Sequence, residues 1–320
     1  MGVSVLKDGK PTFIDLCCGA GGMSLGFENA GWHCVAGVDD DPESCETFNR
    51  NHPNSLCVRG SVHDLSFHTE VDAIVSGFPC PAHSMSGRRL GMADERGKVF
   101  DGVARIIGEV KPKVVVYENV KGILSSKDEE GNKGGALKYI IDATEGLGYT
   151  VSHKVLNANH YGVPQARERW ILVGTLSGEV WDPPPPIFPR PTVYDAFADL
   201  IEMDGEDIDL PNHVLSSHGQ EMVDKLKELR PGDPLYPQYP EGRMRLALDE
   251  PAKTIKENHG GSPIHPIEHR GTTPREMARL QSFPDDFVFL GSRRSWYVQI
   301  GNAVPVRFAQ AIAESVRGLL

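Results

Sequence analysis

A short apolar run, Thr12–Leu16, ends in Cys17-Cys18-Gly19-Ala20-Gly21-Gly22 and gives way at Met23 to a helical pattern. Strand, glycine turn, helix is how an open α/β sheet begins. The glycines let the backbone approach a ligand, and the helix N-terminus lies just behind them. The spacing is not that of the dinucleotide fingerprint Gly-x-Gly-x-x-Gly, and a tight strand–helix connection asks for the same glycines. The alternation then repeats. His33–Val38 reads as a second strand, Glu43–Asn51 as a helix, Ser55–Val58 as a third strand and Ala73–Val75 as a buried fourth. Val99–Val110 reads as a helix, Pro112–Tyr117 as a valine-rich fifth strand, and Ala136–Leu147 as a further helix.

Ligands of such sheets collect at the C-terminal strand edge, so the residues there carry the functional reading. The fourth strand ends in Gly77-Phe78-Pro79, and the next residue is Cys80. After so rigid a turn the thiol is presented to a cleft, where a thiolate is a soft nucleophile; a free cysteine is also, by habit, a small buried hydrophobe. Glu118, at the end of the fifth strand, faces the same edge or is a surface acid. Asp39 stands 20 residues after Gly19, where an acid holds ribose hydroxyls. Asp41 ahead of Pro42 reads as a helix cap. Ser84–Lys98 holds three glycines and three arginines without periodicity and reads as a mobile binding loop. In an extended Gln165–Arg169, the side chains of Gln165, Arg167 and Arg169 share one side, suiting phosphate or a polar heterocycle or a charged edge strand.

The chain has 320 residues, 39% hydrophobic and 24% charged, with a net charge of −11. It is long enough to bury a full core. The acidic balance argues against a general nucleic-acid coat but allows a locally basic cleft. No apolar run spans a bilayer, and the N-terminus lacks a signal segment, so a cytoplasmic location and no membrane partner are expected. The six cysteines show neither Cys-x-x-Cys nor zinc-type spacing; they read as reduced thiols, and no metal is expected.

Trp181–Pro186 and Pro189–Pro191 form a stiff linker. Beyond it the chain is irregular to about Pro263, with one helix at Gly219–Leu229. Gly271–Ser282 reads as a helix with Thr273 as N-cap and Pro274 at N1, and Arg307–Leu319 as the last helix.

Five stretches, FIDLCCGAGGMSLGF, GFPC with Ser84, ENV, QARERW, and REMARLQSFPDDF with QIGNAVP, run in order from Phe13 to Pro305. Together they resemble the C5-cytosine-specific DNA methyltransferases. The resemblance implies a doubly wound, mostly parallel α/β sheet of the Rossmann-like methyltransferase type, with a small irregular inserted target-recognition domain. It divides the chain into a catalytic and cofactor-binding domain, residues 1–178, a recognition domain, 179–291, and a segment, 292–320, that returns to the catalytic domain. It implies S-adenosylmethionine as cofactor, double-stranded DNA as partner and a monomer. Cys80 would add to cytosine C6, Glu118 would donate a proton at N3, and Arg169 helped by Arg167 would hold O2. Gly19, Gly21, Asp39, Pro79, Asn302 and Val304 would line the cofactor, together with Cys17, Ser61 and Val62. Ser84, Ser86, Arg88, Arg89, Arg96, Gln165, Arg243 and Arg245 would meet DNA. Cys17, Gly60-Ser61-Val62 and Pro81-Ala82-His83 depart from the family pattern, which usually has a ring, Gly-Asp-Ile and Gln-x-Phe there. Alternatives are the same chemistry on RNA, whose enzymes usually carry a Cys-Phe-Thr absent here, and transfer of a modified methyl group.

Overall fold

The structure is a computed structural model that describes residues 9–79, 99–128, 131–202, 209–239, 243–256 and 262–320. Cys80, Ser84, Ser86, Arg88, Arg89 and Arg96, with the loop expected at Ser84–Lys98, lie outside the described residues. The chain divides into two compact units. The first is Met1–Leu156, Glu168–Pro185 and Ala309–Leu320; the second is Asn157–Arg167 and Pro186–Phe308.

The first unit is built on a seven-stranded sheet. Its strands are β1 (Thr12–Leu16), β2 (His33–Asp39), β3 (Cys57–Arg59), β4 (Ala73–Ser76), β5 (Val114–Val120), β6 (Thr150–Asn157) and β8 (Glu168–Thr175). The order is β3-β2-β1-β4-β5-β8-β6. Pairs β1/β2, β1/β4, β2/β3 and β4/β5 are parallel, and β5/β8 is antiparallel. The order reverses at β1, as the doubly wound reading requires. Strands β1, β4 and the apolar part of β5 are wholly buried, which explains their near-continuous hydrophobic runs.

Helix α1 (Gly22–Asn29) starts at Gly21, whose φ of 96° only a glycine adopts without cost. Helix α2 (Pro42–Asn51) has the expected cap: Ser44 N–H donates to Asp41 Oδ1 (2.8 Å), with Pro42 at N1. Helix α3 (Val99–Val110) buries Phe100, Val103, Ile106 and Ile107 at helical spacing. Helix α4 (Gly135–Gly146) buries Ala136, Ile140 and Thr144. Phe78, Phe100 and Tyr117 form a buried aromatic triad, with ring centroids 5.3 to 5.7 Å apart. It anchors the turn after β4 to the core.

The second unit holds α5 (Val193–Glu202), α6 (Gln220–Lys227), α7 (Pro274–Leu280), α8 (Arg293–Asn302) and a two-stranded pairing of β7 (Gln165–Ala166) with β9 (Ala252–Lys253). The expected cap of α7 is a full capping box: Glu276 N–H donates to Thr273 Oγ1, and Thr273 N–H to Glu276 Oε2. The last helix, α9 (Val306–Arg317), belongs to the first unit from Ala309 onward, where Trp32 Nε1 donates to the Ala313 carbonyl at 3.2 Å.

Candidate active site

The parallel register brings several chain turns to one edge of the first unit. Leu16 pairs with Val38 and Ser76, and Ser76 with Tyr117. Cys17, Asp39, Gly77 and Glu118 therefore each stand one residue beyond a common line at the strand C-termini. Strand β8 runs the other way, so its beginning reaches that same edge, with Arg169 opposite Val120.

Glu118 and Arg169 form the polar centre. Arg169 Nε donates to Glu118 Oε1 at 2.8 Å, and both side chains are about one-tenth exposed. Arg169 Nη1 donates to the Glu168 carbonyl at 2.8 Å. Burial pulls the Arg169 pKa down, and the Glu118 carboxylate opposes that pull; a guanidinium remains a cation under both. The second oxygen, Oε2, faces the turn that leads to Cys80: a Cβ on Gly77 would lie 3.7 Å from it. Asn119 Nδ2 donates to the Phe78 carbonyl at 3.0 Å, and Asn119 Oδ1 accepts from Val120 N–H. Glu118 thus meets an edge held by its own neighbour. Sequence reasoning missed that Asn119 pins the turn; its place next to an edge carboxylate was the available signal.

The glycine turn lies at the same edge. Gly19 N–H donates to Asp39 Oδ2 (2.8 Å), and Asp41 N–H donates to Asp39 Oδ1 (3.0 Å). Burial raises the Asp39 pKa, and these two N–H donors lower it. At Gly19, φ 54°, a Cβ would meet nothing within 4 Å, whereas at Gly21 it would collide with the His52 ring, 2.2 Å from Nε2. His52, buried and stacked on Phe48, has Nδ1 2.7 Å from Glu28 Oε2. The turn is therefore supported from behind at Gly21 and open at Gly19. His52 was not singled out in the sequence, and a lone histidine at a helix end gives no signal there. Cys17, at φ 62°, is half-buried in this turn. Ser61 Oγ accepts from His63 N–H at 3.2 Å, Val62 is buried, and Pro79 is exposed.

The stretch Gln165–Arg169 departs from the reading of one shared face. It is split between two sheets, Gln165 in β7 and Arg169 in β8, so counting by twos does not carry across Arg167. Gln165, expected at DNA, is fully buried. Its Nε2 donates to Gln281 Oε1 (2.8 Å), and its Oε1 accepts from Ile255 N–H (2.8 Å). Arg167 is buried and donates to the carbonyls of Ile255 (2.9 Å), Gly301 (2.9 Å) and Ala303 (3.3 Å). It fixes the segment that carries exposed Asn302 and buried Val304. Arg245, also expected at DNA, is 4% exposed. It donates to the carbonyls of His265, Pro266, Glu268 and Leu226, so a loop crowded with inward-facing carbonyls claimed it. Arg243 is half-buried. Among the described residues no group of three or more His, Cys, Asp or Glu could hold a metal ion, and no helix is long and apolar enough to cross a membrane.

A seven-stranded, mostly parallel sheet with a carboxylate and a guanidinium paired at its C-terminal edge defines a Rossmann-like α/β enzyme. Comparison with known proteins narrows the class. The C-5 cytosine-specific DNA methylase family matches residues 11–318. The Type II methyltransferase M1.HphI of Haemophilus parahaemolyticus is 36% identical, over 95% of this chain and 86% of that protein. M.PspPI of a Psychrobacter species, also a Type II methyltransferase, is 35% identical, over 97% and 79%. A prophage-encoded protein of E. coli, assigned as a DNA modification methyltransferase, has the same fold, with a TM-score of 0.80 at 24% identity over 97% of this chain and 99% of that one. The chain belongs to the C-5 cytosine-specific DNA methylase family and is a DNA cytosine-C5 methyltransferase.

Proposed function

We propose that the chain methylates C5 of a cytosine flipped out of double-stranded DNA, with S-adenosylmethionine as donor and Cys80 as covalent nucleophile. The observation that carries the reading is the Glu118–Arg169 pair beside the Gly77–Pro79 turn, directly before Cys80. Cytosine C5 is too weak a nucleophile to take a methyl group directly. A thiolate adding at C6 makes C5 enamine-like and divides one hard step into easier ones. A proton taken up from solvent with the base would be shared between Glu118 and N3 as charge builds on the ring, and would leave when Cys80 is eliminated. Arg169 fixes one Glu118 oxygen and places positive charge where O2 would lie. A base then removes H5, and elimination of Cys80 frees the product. The base must leave the duplex stack to reach the site; Ser84, Ser86, Arg88, Arg89 and Arg96 are proposed to meet the DNA around it, with Arg243 at phosphate. Arg167 acts through the segment it holds.

The residues present fit the donor. S-adenosylmethionine supplies an electrophilic methyl group. The turn at Gly19 is open where a side chain would stand, α1 has no acidic residue in its first turn and no side-chain cap, and its N-terminus suits a carboxylate. Gly19, Gly21, Cys17, Ser61, Val62 and Pro79 would line the donor, Asp39 would take the ribose hydroxyls, and Asn302 and Val304 are assigned from the resemblance. Residues 1–178, with 292–320 returning to them, would be the catalytic domain and 179–291 the target-recognition domain of a methyltransferase of the restriction-modification type.

A radiolabelled methyl-transfer assay on duplex DNA, RNA and free cytidine tests the reading. Label in duplex DNA alone supports it; label only in RNA overturns it. Asp39→Ala should weaken S-adenosylmethionine binding by about 1–3 kcal/mol, the cost of leaving buried hydroxyls unpaired; unchanged affinity by calorimetry places the ribose elsewhere.

A further inference from the structure

Three buried thiols lie in contact behind the proposed cofactor edge. Cys57 Sγ is 3.0 Å from Cys45 Sγ and 3.6 Å from Cys18 Sγ. They come from three elements: Cys18 from the glycine turn, Cys45 from the first turn of α2, and Cys57 from β3. Gly37 makes the room, since a Cβ there would stand 2.8 Å from Cys18 Sγ. The cluster is wired to Asp39. Cys45 Sγ donates to the Asp39 carbonyl at 3.4 Å, Gly60 N–H donates to that same carbonyl at 2.9 Å, and Cys18 N–H donates to the Val38 carbonyl at 2.9 Å.

We infer that Cys45 and Cys57 form a dithiol site that closes to an intrachain disulfide with a small two-electron oxidant and so weakens the cofactor edge. A disulfide needs its sulfurs about 2.05 Å apart, so the pair must close by about 1 Å. In the reaction the two S–H bonds break, the S–S bond forms, and two electrons and two protons pass to the oxidant. With an azodicarboxamide, they reduce its N=N bond to the hydrazine. Closure draws Cys45 Sγ away from the Asp39 carbonyl, and Asp39 in turn holds Gly19 N–H. Contact with Cys57 raises the pKa of Cys45; contact with Cys18 raises that of Cys57 while contact with Cys45 lowers it, and burial raises both. A buried thiol of raised pKa is slow to react, which favours a small oxidant at high concentration over a protein one.

The effect on cofactor rests on the S-adenosylmethionine reading above; the disulfide itself does not. The test uses the full chain with Cys80→Ser, so that the proposed nucleophile cannot react. It is treated with azodicarboxamide, alkylated and peptide-mapped. The inference expects a Cys45–Cys57 linkage, two hydrogens lighter and reversed by dithiothreitol, with Cys17 and Cys34 still alkylated. All thiols remaining alkylatable, or a Cys18–Cys57 linkage in its place, overturns it. Calorimetry on the same samples should show S-adenosylmethionine binding at least about fivefold weaker after oxidation, the scale of one hydrogen bond, and no change after oxidation of Cys57→Ala. Equal affinity before and after oxidation overturns the coupling. Reduced protein that binds no S-adenosylmethionine defeats the cofactor reading and leaves the peptide map to decide the disulfide.

Discussion

Arg169 and Arg167 are two residues apart, both nearly buried, and have opposite occupations. Arg169 meets a carboxylate, Glu118, at a sheet edge. Arg167 gives its guanidinium to three main-chain carbonyls. The contrast extends to the units they belong to. The first unit has at its strand edge an ion pair with one oxygen turned to the Gly77 turn. The second uses arginine as scaffolding: Arg245 donates to four carbonyls, and Arg275, fully buried, to those of Pro211, Pro284 and Phe287. A guanidinium offers five donors in a fixed fork. It satisfies irregular loops that have no ladder to pair with, and it serves chemistry only where a charge is left to answer. A carboxylate partner alone does not separate the two roles, since Arg270 of the second unit meets Glu276 at 2.7 Å; the place of the Glu118–Arg169 pair at the strand edge does.

The contrast predicts different losses. Glu118→Gln keeps the shape and removes the proton carrier, so single-turnover methylation of the folded protein should fall about 10²–10⁴-fold. If only DNA affinity falls, the edge pair is structural like the rest. Arg275→Met should do the reverse, destabilising the protein by about 3 kcal/mol or more because buried carbonyls lose their donors. A midpoint shift near zero in urea would break the scaffold half of the comparison. Arg169→Lys and Arg167→Lys sharpen it: the first should slow turnover about tenfold or more with little change in stability, and the second should cost roughly 1–2 kcal/mol of stability. Equal profiles would erase the distinction.

A pH dependence in the first unit is of similar size. Asp15, fully buried with Ser24 Oγ donating to it at 2.6 Å, is pushed up to about 7, first by burial. Its folded pKa lies above its unfolded one. Its contribution is therefore complete below about pH 4 and is lost as pH rises through 7. Asp15→Asn should gain roughly 1–3 kcal/mol on wild type between pH 5 and pH 8. Parallel stability curves would show that Asp15 does not titrate there.

The glycine turn, the strand alternation, both helix caps and the edge positions of Asp39 and Glu118 were legible because each follows from local spacing. The fate of the arginines was not. Whether Arg167 or Arg245 meets solvent depends on carbonyls of Ile255, Gly301 or His265, at least 20 residues away, and no local pattern encodes them. Gln165 was misread for a related reason, because the chain changes sheets between it and Arg169. The Asn119 hold on Phe78 and the His52 support of Gly21 are also long-range.

The central claim, chemistry through Cys80 with Glu118 as proton carrier, is tested most directly by trapping. Long heteropolymeric duplex DNA made with 5-fluorocytosine is incubated with the enzyme and S-adenosylmethionine, because fluorine at C5 blocks the elimination that would free Cys80. The expected product is a denaturation-resistant adduct whose nucleotide maps to Cys80, and which Glu118→Gln forms far more slowly. An adduct on another residue, or methylation of ordinary duplex DNA by Cys80→Ser, would contradict it.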